Sequence, residues 1–114
     1  MSVLSFQKLD VYHCAIEFLA LVLDIIKDIP RGHADIVDQL KRAALSIPLN
    51  IAEGAGRTGR ADAARSYAIA RGEAMESAAI LDALRLLELL SDERHVRGCE
   101  FLERLVAMLT KLCR

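Results

Sequence analysis

The chain has no tryptophan, only two prolines, and no stretch of turn residues long enough to serve as a linker between domains. With apolar residues at 54%, these scarcities exclude disorder and point to packed helices in one domain over residues 1–114. Cysteine is sparse and odd in number. Cys14, Cys99 and Cys113 have no CxxC spacing, and the N-terminus has no signal-like segment, so the expected compartment is the reducing cytoplasm. Long apolar runs are missing too. The longest, Phe18 to Leu23, lies between Glu17 and Asp24 and falls far short of the ~20 residues that cross a bilayer, so no membrane partner is expected. Excess charge of one sign is also lacking: a net −1 excludes a globally basic nucleic-acid binder and a polyacidic tail.

What is present is helical periodicity. The spacing predicts a first helix from about Leu9 to Ile29, closed by Pro30 and Gly32, and a second opening at an Asp35 cap. The second carries Ile36, Val37, Leu40, Ala44, Ile47 and Ile51 on one face. A third, capped by Thr58, runs to Leu90 and is rich in small residues; a fourth, capped by Ser91, runs to the C-terminus. Short connections make neighbours antiparallel, which predicts an all-α, up-down-up-down four-helix bundle.

The first helix is more apolar than such a bundle needs. Tyr12, Ala15, Ile16, Leu19, Val22, Leu23, Ile26 and Ile29 form one stripe; Val11, Cys14, Phe18, Leu21 and Ile25 form a second. The fourth repeats this, with Phe101, Leu105, Met108 and Leu112 beside its main stripe. A solvent-facing second stripe would be a patch that monomers avoid, so self-association is expected. Patterning does not say which stripe faces inward; Phe18, Leu21, Ile25, Leu105 and Met108 are taken as the oligomer interface.

The stretch KRAALSIPLNIAEGAGRTGR, residues 41–60, contains both a mid-helix proline and a GxGxxG pattern. A dinucleotide fingerprint follows a strand and opens a helix, whereas this one follows a helix in a chain without strand patterns, so the glycines are read as ending the second helix. Pro48 allows a stop at Ile47 or a kink within one helix. Ile51 and Ala55 continue the pattern, which favours a proline-kinked, continuous helix, with Ser46 and Asn50 helping at the lost backbone bond.

The segments QLKRAALSIPLNIAEGAGR (Gln39 to Arg57), KLDVYHCAIE (Lys8 to Glu17) and YAIARGEAME (Tyr67 to Glu76) resemble the bacterial four-helix bundle proteins encoded in intervening sequences of 23S ribosomal RNA. The words that carry the likeness are Ile47-Pro48, Asn50-Ile51-Ala52-Glu53-Gly54 and Ala70-Arg71-Gly72. The chain departs from the family pattern at Leu49, Glu73 and Ser77-Ala78. The resemblance implies a kinked second helix, a ring-like homopentamer and no enzymatic activity. A related branch, the accessory variability determinant of diversity-generating retroelements, works with a reverse transcriptase and RNA and is strongly basic, unlike this chain with its pI of about 6.3.

No catalytic, cofactor or metal site is expected. The pair Asp10/His13 and Asp92/His95 has the look of a di-iron bundle motif, but up-down topology puts the two at opposite ends. Ser46 has no evident histidine partner. Arg71 beside Gly72 admits two readings, a solvated face or a reach to Glu53 or Asn50 that locks the second and third helices. Charge is uneven: −3 over residues 1–40, +4 over 41–71 and −2 over 72–114. The fold would gather Lys8, Arg57, Arg60, Arg65, Lys111 and Arg114 at one end against Asp10, Glu53 and Asp62. The leading expectation is thus a non-enzymatic homo-oligomeric module. The alternative is an RNA-binding or reverse-transcriptase accessory protein, in which Arg57, Arg60 and Arg65 contact phosphates.

Overall fold

Residues 4–114 are described by a computed structural model. A 3-10 turn at Ser5–Lys8 leads into four helices: α1 (Asp10–Lys27), α2 (Ala34–Gly56), α3 (Arg60–Leu86) and α4 (Asp92–Leu112). Each helix touches its two neighbours in a square, α1 with α2 and α4, and α3 with α2 and α4. Cross-helix contacts fix the directions. Asp24 and Asp28 near the end of α1 pair with Arg94 near the start of α4, and Asp82 late in α3 meets His95 early in α4. Gly54 at the end of α2 lies on Tyr67 at the start of α3. The bundle is therefore up-down-up-down.

Caps explain where some helices begin. Ser91 accepts a hydrogen bond from the Arg94 amide at 3.3 Å, as its residue type favours. The other expected caps shift: His33, not Asp35, precedes α2, and Gly59, not Thr58, precedes α3, neither with a side-chain bond. The third helix ends at Leu86 rather than Leu90. Its chain then turns through Glu88 at φ 61°, a left-handed conformation that costs an L-residue about 1–2 kcal/mol and that the Leu89 amide to Leu84 carbonyl bond at 2.9 Å accompanies.

The second helix does not stop at Ile47. Pro48 lies inside it, buried, and the helix continues to Gly56. Asn50 Nδ2 donates to both the carbonyl and the Oγ of Ser46 at 2.9 Å, so the two expected helpers act together, on the Ser46 carbonyl and not on the Ala44 carbonyl that Pro48 leaves without a donor. Gly54 and Gly56 are helical; only Gly59 belongs to the turn.

The core corrects the expected oligomer interface. Phe18, Leu21, Ile25 and Leu105 are buried within the single chain, and Met108 is half-buried against them. The reason is that α1 is clasped from both sides, by α2 and α4. It buries an arc wide enough to take Cys14, Phe18, Leu21 and Ile25 from one stripe together with Ala15 and Val22 from the other. The exposed remainder of α1 is Ile16 and Leu23, with Tyr12, Leu19 and Ile26 half-covered.

Candidate interaction surfaces

The basic end forms where α2 passes into α3. Arg57 Nη2 donates to Glu53 Oε1 one turn earlier, an exposed pair of the i,i+4 kind. Glu53, Arg57, Asp62, Arg65, Ser66 and Ile69 line a shallow hollow of about 410 Å³. Arg60 and Arg65 have no ion-pair partner among the described residues. The structure thus brings Arg57 and Arg65 to one hollow, with Arg60 exposed at the start of α3.

Arg71 does not reach α2. Its Nε donates to Thr110 Oγ1 on α4 at 2.8 Å, and that hydroxyl in turn donates to the Val106 carbonyl at 2.7 Å. The expected lock between Arg71 and Glu53 or Asn50 is therefore absent within the chain: Glu53 holds Arg57, and Asn50 holds Ser46. What joins α2 to α3 instead is close approach. A methyl on Gly54 would sit 2.8 Å from Tyr67 Cε1, so only glycine fits there without movement, and burial of Tyr67 raises the pKa of its hydroxyl. Gly72 is different: nothing lies within 4 Å of the position its side chain would take.

Beyond Arg71 the α3 and α4 helices leave an apolar groove of about 420 Å³, lined by Ala74, Met75, Ala78, Leu102, Val106 and Ala107, with Cys99 and Glu103. At its far end His95 Nε2 lies 2.7 Å from Asp82 Oδ1. Cys99 Sγ is 3.8 and 3.9 Å from the two ring nitrogens of His95. This Cys, His and Asp grouping went unseen in the sequence because Asp82 lies on a different helix. A thiol equidistant from both nitrogens lies beside the ring, not in line with either lone pair. Burial, with Asp82 and Glu103 nearby, also raises the Cys99 pKa and keeps the thiol protonated. The arrangement is a packed contact and not an activated nucleophile.

Members of the two DxxH motifs are likewise occupied. His13 Nε2 lies 2.5 Å from the Gln7 carbonyl, and Asp92 pairs with Arg85 at 2.8 Å, so the two DxxH motifs hold separate partners at opposite ends of the bundle. No helix among the described residues is long and apolar enough to cross a membrane.

The sequence model of the 23S rRNA-intervening sequence protein family matches residues 7–111. The chain belongs to that family. Among solved structures, it is similar to a protein from Bacteroides thetaiotaomicron, described as of unknown function and from the S23 ribosomal protein family. The two share 23% identity over 91% of this chain and 98% of that one, with a TM-score of 0.84, a likeness of fold. No curated protein matches significantly.

Proposed function

We propose that this member of the 23S rRNA-intervening sequence protein family is a non-enzymatic cytoplasmic module that self-assembles, five copies to a ring as the family resemblance implies, and recruits another macromolecule. The observation that carries the reading is apolar surface left over after the core is filled. Ile16, Leu23, Leu45, Leu49, Ile69 and Met75 are each between 39% and 59% exposed, and they occupy the outer sides of three helices. Isolated exposed leucines are ordinary; recurrence along α1, α2 and α3 is what a monomer avoids. Light scattering on the purified chain is expected to return a mass several times 12.6 kDa at micromolar concentration. A monomer under those conditions would overturn the reading.

A second reading rests on the basic end. Arg60 and Arg65, free of ion pairs among the described residues, stand beside Arg57 and could meet phosphates. In this reading the protein serves as an RNA-binding or reverse-transcriptase accessory factor. Binding to single-stranded RNA would then fall with salt at a slope of roughly −0.7 per phosphate contact, and changing Arg57, Arg60 and Arg65 to Gln would flatten it. The assembly reading predicts only feeble binding at ~150 mM salt, where charges are screened beyond ~8 Å.

A further inference from the structure

Two rows of surface residues, one along a helix and one along a groove, have similar length and the same order of charge. Along the outer side of α2, Lys41, Leu45, Leu49 and Glu53 follow one another at four-residue steps and are all exposed. They read base, apolar, apolar, acid over about 18 Å of helix. Along the rim of the α3–α4 groove, Arg71, Met75, Ala78 and Asp82 follow at steps of four, three and four. They read base, apolar, apolar, acid over about 16 Å. Set antiparallel, the two rows match: Glu53 falls at Arg71, Leu49 at Met75, Leu45 at Ala78 and Lys41 at Asp82.

The base of each row has no acidic partner within its own chain among the described residues. Arg71 is half-buried, yet among the described residues its partner is the neutral Thr110 hydroxyl and no carboxylate reaches it. Lys41 has no ion-pair partner among the described residues either. Asp82, although it meets His95, keeps a side chain 72% exposed. Glu53 is held only by the exposed pair with Arg57, which is easily exchanged. The groove has open volume between Met75 and Val106, and Leu49 is among the most exposed apolar side chains of the molecule at 59%.

We propose that the α3–α4 groove of one copy receives the α2 outer strip of a second copy, with Glu53 on Arg71 and Lys41 on Asp82. This rests on the assembly reading and names its contact. The two surfaces are different patches, so the contact is heterologous. They lie on different parts of the molecule, one on the exposed side of α2 and the other between α3 and α4. Repetition of such a contact turns through an angle at each copy and closes a ring when the angles sum to a full circle.

The test uses two variants with changes only at exposed positions. A strip variant carries Leu45→Glu and Leu49→Glu; a groove variant carries Met75→Glu and Ala107→Glu. Circular dichroism checks that both keep the wild-type helix content. Each alone is expected to scatter as a monomer. Mixed in equal amounts they are expected to give a particle of two chains and nothing larger, since one intact strip meets one intact groove and no further contact remains. Adding Glu53→Gln to the groove variant should weaken that pair about tenfold, the low end of coupling for close charge pairs across an interface. If the wild type assembles but both variants retain its mass, this contact is wrong and the assembly reading survives. Variants that dissociate yet fail to pair on mixing would also overturn it. A wild-type monomer would remove both.

Discussion

Phe18 and Ile25 from α1, with Leu105 and Leu109 from α4, are large side chains wholly inside the core, whereas α2 and α3 also bury a set of small residues, Ala43, Ala44, Gly54, Ala70, Ala74 and Ser77, and Gly54 lies directly on Tyr67 where the two helices meet. The second pair of helices nevertheless makes the more extensive contact. The difference shows two ways of closing one bundle. On the α1–α4 side the interior is filled by volume, and what matters is that nothing be removed. On the α2–α3 side the backbones come close, and what matters is that nothing be added.

The strongest way to break the first side is Phe18→Ala, which should cost about 3–5 kcal/mol in a denaturant titration, with the upper value reached if the cavity cannot collapse. A cost below about 1 kcal/mol would mean that α1 is not the volume-filling helix described. The corresponding change on the second side is Gly54→Ala. Its methyl meets the Tyr67 ring at 2.8 Å, and such overpacking costs roughly 1–3 kcal/mol even though alanine is the better helix former. If Gly54→Ala stabilises instead, the close approach of α2 and α3 is not what holds them. Combining it with Tyr67→Leu should recover part of the loss, because the partner atoms are then gone.

Two smaller changes sharpen the comparison without altering bulk. Ser77 is fully buried on α3, and its Oγ has no hydrogen-bond partner among the described residues. Ser77→Ala keeps the small volume and removes a desolvated hydroxyl, so stability should stay level or rise by up to about 1 kcal/mol. A clear loss would point to a hidden partner. The smallest effect concerns Glu73, whose carboxyl is raised above its ordinary 4.5 by burial first and by the neighbouring Glu76 second. The folded state therefore holds the proton to higher pH than the unfolded state does. Its contribution is most favourable at low pH and is lost as pH rises from about the unfolded value through the raised folded one. Against Glu73→Gln, the wild type should lose ground progressively over that window; parallel pH profiles would remove Glu73 as the cause.

These contrasts also mark what could be read before folding. The four helices, their order and the uninterrupted passage through Pro48 were legible because apolar spacing and short turns are local properties of the chain. The burial of Phe18 and Leu21 was not. Two stripes of equal apolarity run along α1, and the choice between them depends on where α4 lies: Gly98 of α4 brings its backbone near Leu21, and Cys14 Sγ donates to the Phe101 carbonyl at 3.6 Å. Neither of the two readings open for Arg71 put it on α4, for a similar reason. Its position on α3 turns it toward Thr110 of α4, which no local pattern reveals. The candidate surfaces fall between these cases. Arg57, Arg60 and Arg65 were recognisable from charge, while the groove from Ala74 to Ala107 consists of residues that mean nothing until two helices set them side by side.

The seam between α2 and α3 also carries its own optical label. In a chain without tryptophan, the near-ultraviolet signal comes chiefly from two tyrosines. Tyr12 is partly solvated, edge-on to Phe6 with ring centres 5.0 Å apart, whereas Tyr67 is fixed in an asymmetric slot beneath the Gly54 backbone. Loosening of that slot would flatten the near-ultraviolet dichroism while the far-ultraviolet helix signal persisted, the spectroscopic sign of helices that remain formed but have lost fixed packing. The separation of these two helices can therefore be followed in the unlabelled protein, through the share of the tyrosine band that Tyr67 contributes.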